Sequence, residues 1–156
     1  MNHTIWFRGW VILLVAVILT MLFGLAAALL FTGERRDAIL VYSVPIAIPF
    51  TAFIFDRLAR WPRVLWWLDM PLVILSLLRA FWPLPIISGH ALFLTYALLT
   101  TRLPVARWTA ALILLQVVYL KALVWGDSTL IGGVLVGLVA AILYRRMMRP
   151  ERNPTP

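Results

Sequence analysis

Ile87-Ser88-Gly89-His90-Ala91-Leu92-Phe93 sets a small, polar, titratable cluster at the start of an otherwise apolar segment, and the rest of the 156-residue chain is organised around it. A serine or glycine that opens a helix leaves backbone N–H groups able to bind an anion, and a histidine beside them can exchange a proton near neutral pH. The same residues also suit a plain N-cap, in which the serine oxygen accepts from the first helical turn. Both readings stay open on the motif alone. What surrounds it narrows the choice.

Hydrophobic residues make up 63% of the sequence and mean hydropathy is +0.97, which leaves too little polar surface to enclose a water-soluble core. The pattern predicts an all-α, multi-pass membrane protein: one domain of six spans over 10–31, 38–55, 64–78, 88–101, 108–124 and 129–144, with a basic tail over 145–156. The first span is uncharged from Trp10 to Phe31 and lacks a small-residue cleavage site, so it is expected to be retained. Pro45 and Pro49 are expected to kink the second span or mark a cavity. Trp61, Trp66 and Trp67 fit an interfacial belt, and Gly133 and Gly137 predict close approach of another helix to the sixth span. The chain has no cysteine and two histidines, which excludes thiolate chemistry and argues against a metal or haem site; no cofactor is expected. The net charge of +8 is carried at span ends, so anionic or phosphorylated membrane lipids are the expected partners, with a membrane protein as a further possibility and nucleic acid excluded.

Charge also orients the spans. With a cytoplasmic amino terminus, ten basic residues lie at inner ends (Arg8, Arg57, Arg60, Arg63, Arg102, Arg107, Arg145, Arg146, Arg149 and Arg152) and four at outer ends (Arg35, Arg36, Arg79 and Lys121). The positive-inside rule then places both termini in the cytoplasm, in a membrane of the bacterial inner-membrane kind. Arg79, Ser88, Gly89, His90, Lys121 and Asp127 consequently share the outer face.

Six spans, Ser88-Gly89-His90-Ala91 opening the fourth, and a second polar site between the fifth and sixth resemble the type 2 phosphatidic acid phosphatase (lipid phosphate phosphatase) superfamily. That resemblance implies a phosphate site in which Arg79, Ser88, Gly89 and Lys121 hold the phosphate and His90 is the general acid. It also implies a nucleophilic histidine, and here the chain departs from the pattern. Aligning Gly133 and Gly137 with the family's glycine pair puts Thr129 at the aspartate position, Trp125 at the histidine position and Tyr119 at the arginine position. Lys121 then lies two residues from the arginine position, which on an α-helix turns it to roughly the opposite face. Ile87 replaces a proline, and the first motif is reduced to Arg79 with Pro83 nearby. His3 belongs to the other membrane face.

Three functions follow as alternatives. The chain is a catalytically impaired relative that binds a phosphorylated lipid head group or serves as a structural partner; an active lipid phosphate or pyrophosphate phosphatase with an altered nucleophile, for which Asp127 is the candidate; or a small scaffold subunit. Apart from the resemblance, Arg79 and Lys121 are expected to snorkel to head groups, Asp127 to cap the sixth helix, and Asp69 to pair with an arginine such as Arg63.

Overall fold

The computed structural model describes residues 44–60, 66–81 and 87–148 together with single helical positions between 11 and 26; side chains along 66–81 are described as far as Ser76. The described residues form helices without strands. Pro45 stands in a 3-10 turn, Val44–Ile46, that runs into helix α1, Ala47–Leu58, and Pro49 lies in the first turn of that helix. A proline there gives up an N–H that has no intrahelical acceptor, so these prolines begin the helix and do not kink it. Helix α2, Trp66–Phe81, continues past Arg79, which therefore does not close it.

Helix α3, Gly89–Thr100, carries the motif at its start and is the centre of the molecule. Gly89, Ala91 through Ala97 and Thr100 are buried, as expected of a helix that is apolar all round. Its 12 residues rise about 18 Å, short of a hydrocarbon core of about 30 Å. It is enclosed by α1, α2, α4 and α5.

Helix α4 begins earlier than the sequence pattern suggests, at Pro104, and extends to Val118; proline is suited to the first helical position, where its fixed φ is already helical. The chain continues as a π-helical turn, Tyr119–Val124, and then helix α5, Thr129–Met147. Helix α5 lies directly on α3. A Cβ at Gly137 would sit 2.6 Å from the Leu92 carbonyl oxygen and 2.9 Å from Thr95 Cβ, and one at Gly133 would strike the Ser88 carbonyl. The two glycines therefore admit backbone against backbone, as small residues do where helices cross closely.

Two helical stretches, Pro104–Val124 and Thr129–Met147, are long and apolar enough to cross a membrane. Their outward faces are apolar, with Leu115, Leu123 and Ile131 exposed, whereas Thr95, Thr100, Thr109, Gln116 and Lys121 are buried. The first apolar segment joins this core through Val17, which is buried, and through the Met21 carbonyl, which accepts from Gln116 Nε2 at 3.2 Å.

Candidate functional site

Ser88 is the N-cap of α3, with extended backbone, and its Oγ accepts from the Ala91 N–H at 3.4 Å. Its own N–H donates to the Thr129 carbonyl at 2.9 Å. The first residue of α5 thus holds the residue that opens α3, and the two helix starts are fixed side by side. Gly89 is buried and His90, second in the helix, is half-buried.

Lys121 reaches the same point from the π-helical turn. Its Nζ donates to Asp127 Oδ2 at 2.6 Å and to Thr129 Oγ1 at 3.5 Å. Lys121 is 7% exposed while Tyr119 is 45% exposed, so the snorkelling expected of Lys121 is overturned: the lysine turns inward and the tyrosine outward. The π-helical turn is a physical reason for this. Each of its residues advances the helix by a smaller angle than in an α-helix, which shifts the phase of everything after Val118. The Trp125 N–H closes that turn onto the Leu120 carbonyl, and the Asp127 N–H donates to the Lys121 carbonyl. Gly126, at φ 60°, makes the reversal that no side-chain-bearing residue makes easily.

Asp127 receives two groups at once. Its Oδ1 accepts from the Thr129 N–H at 3.0 Å while its Oδ2 holds Lys121, so it caps α5 from just before the helix, as anticipated. Burial alone would raise its pKa, but the hydrogen bonds from Lys121 and from the Thr129 side chain and N–H outweigh that and lower it to about 2. The stabilisation this carboxylate supplies is therefore fully present above its ordinary pKa of 3.8 and is lost as pH falls towards 2. In thermal denaturation, the gap between wild type and Asp127→Asn should be constant from pH 7 to about 4 and should close below it; a gap that closes above pH 5 would contradict the pairing.

No family model matches the chain, and no curated protein or solved structure matches it. The fold brings Ser88, Gly89, Lys121 and Asp127 to one end of the α3–α5 pair, with His90 beside Ser88. The Arg79 side chain, residues 82–86 and His3 lie outside the described residues. Among the described residues, no group of histidine and carboxylate side chains is arranged to hold a metal ion.

The opposite end holds a charge cluster that the sequence reading missed. Arg57, fully buried, donates from Nε and Nη2 to the two oxygens of Asp69 at 2.9 and 3.1 Å, from Nη1 to Asp56 at 3.1 Å and to the Thr100 carbonyl at 3.2 Å, and from Nη2 to Thr100 Oγ1 at 2.7 Å. All five of its N–H groups are used. Asp69 also accepts from the Tyr96 hydroxyl at 2.5 Å. Asp56 further accepts from Arg60 and from the backbone N–H groups of Arg102 and Leu103, both at 2.9 Å. The guanidinium of Arg57 lies 4.3 Å from the Phe53 ring centre and 4.6 Å from that of Tyr144, positions favourable to a cation. The expectation that Asp69 pairs with an arginine holds, and the arginine is Arg57, twelve residues back on the preceding helix; Arg63 lies outside the described residues. Asp56 and Arg57 at the end of an apolar segment, with Tyr96 and Thr100 four apart on another, were the legible signals; only the fold brings them together.

Proposed function

We propose that this chain is a six-span integral membrane protein of the lipid phosphate phosphatase type, in which the Ser88 end faces away from the cytoplasm and receives a phosphorylated lipid head group without hydrolysing it. The observation that carries this reading is the convergence on Thr129: its carbonyl holds Ser88 and its hydroxyl accepts from an inward-turned Lys121. A buried ammonium beside the start of a helix is the kind of place where a phosphate oxygen is stabilised. The large apolar side chains exposed on the outward helix faces, with charged groups such as Arg57, Asp69 and Lys121 buried, support a lipid setting.

Hydrolysis needs an in-line nucleophile as well as a proton donor. His90 is suited to the donor role. The second histidine of the chain is His3, at the far end of the sequence. Asp127 is a poor nucleophile because both of its oxygens are engaged by cationic or N–H donors. The scaffold alternative draws on the same ion pair, since Lys121 already has a counter-ion.

One set of measurements separates these readings. Purified protein should release phosphate from phosphatidic acid, phosphatidylglycerol phosphate and polyprenyl pyrophosphate no faster than His90→Ala, yet bind phosphatidic acid saturably. Lys121→Met should abolish that binding. Asp127→Asn, which frees the lysine, should tighten it about tenfold, the order expected for relieving one partly buried ion pair. Phosphate release well above His90→Ala would overturn the non-hydrolysing reading, and absence of saturable binding in both wild type and Asp127→Asn would leave the scaffold.

A further inference from the structure

The charges at the Arg57 end divide into two sets. Asp56 and Asp69 are each 1% exposed and are neutralised internally by Arg57, Arg60, Tyr96 and backbone N–H groups. Arg102, Arg107, Arg145 and Arg146 are exposed, and no exposed acidic residue lies at that end among the described residues. The burial of both carboxylates therefore leaves four surface arginines without an acidic partner among the described residues. At the other end, Lys121 and Asp127 cancel one another.

The exposed arginines lie at the same end of the molecule, with Arg146 in the last turn of α5. The Arg102 N–H is bound to Asp56, Arg145 donates to the Leu99 carbonyl from Nε at 3.0 Å and Nη2 at 2.7 Å, and Arg107 is in the first turn of α4. Trp108, next to Arg107, and Trp67, in the first turn of α2, are exposed at this same end. Indole rings beside arginines are the composition that settles at the head-group layer.

We infer that the Arg102–Arg107–Arg146 face is a binding surface for anionic phospholipid head groups, at the opposite end of the molecule from the Ser88 cluster and independent of it. The inference rests on the membrane reading above. A basic residue near a charged leaflet contributes about a fivefold preference, and the attraction is screened by salt. Arg145 is left out of the test because it caps α3.

The test uses full-length protein in neutral detergent, titrated with phosphatidylglycerol, phosphatidylcholine or inorganic phosphate and followed by its melting temperature. Phosphatidylglycerol should raise the melting temperature at low salt, phosphatidylcholine should not, and inorganic phosphate should not substitute for the lipid. For Arg102→Gln/Arg107→Gln/Arg146→Gln the lipid concentration at half effect should increase on the order of a hundredfold, while Val139→Leu, on an exposed apolar face of α5, should leave it unchanged. Loss of the effect in Lys121→Met but not in the triple variant would transfer it to the Ser88 end and overturn the inference, as would equal responses to the two lipids. Fractionation distinguishes this from failure of the membrane reading: a chain recovered in the aqueous phase without detergent would refute that reading itself.

Discussion

Replacing Arg57 with methionine should cost about 3–5 kcal/mol, because it strands Asp69 in a buried position with the Tyr96 hydroxyl as its remaining donor among the described residues and takes one donor from Asp56. For a chain of this length that is a fall in melting temperature on the order of 10 °C. Arg57→Lys should recover little. A single ammonium cannot span two carboxylates, a hydroxyl and a carbonyl in one plane as the guanidinium does. The double variant Arg57→Met/Asp69→Leu should regain much of the loss, since a buried ion pair contributes little net stability compared with an apolar pair of similar volume, whereas half a pair is strongly unfavourable. Asp56 tolerates the change better, because Arg60 and two backbone N–H groups remain with it. Thermal denaturation of the three variants in detergent checks the set. A melting temperature for Arg57→Met equal to that of wild type would show that the cluster is not closed to solvent in the way described.

Gly137→Leu should be comparably damaging for a different reason. The new Cβ would lie 2.6 Å from a backbone oxygen of α3, and backbone cannot swing aside as the end of a flexible side chain can. The two helices must separate, at a cost of about 3 kcal/mol or more. Val139→Leu, two residues away on an exposed face of the same helix, adds bulk where nothing opposes it and should be neutral to within about 0.5 kcal/mol. Separation of α3 from α5 also strains the Ser88–Thr129 hydrogen bond, so Gly137→Leu should lose head-group binding as well as stability. Equal melting temperatures for the two variants would remove the close-contact account.

The sequence alone was enough for the helical class, the apolar exterior and the position of the motif at a helix start. These are local or compositional properties: Ser88 caps because its oxygen reaches an N–H three residues on, and Gly133 and Gly137 fall on one face because four residues make about one turn. It also anticipated that Asp127 would cap the last helix. Its span boundaries were less informative, since hydrophobicity changes gradually where helices do not: α2 runs on through Arg79 and α4 starts at Pro104.

What only the tertiary structure decided is which way the charged side chains turn and which partner each one finds. Lys121 read as a lysine on the wrong face because an α-helical period was assumed, and the π-helical turn from Tyr119 to Val124 alters the phase by an amount no propensity encodes. Asp69 read as the partner of an arginine such as Arg63, and the fold supplies that arginine as Arg57 of α1, with Tyr96 of α3 beside it. Hydrophobic patterning specifies that charges at segment ends need partners. Which partners they find is a matter of helix packing, because a buried guanidinium with five donors is stable only where several chain segments bring acceptors to it together.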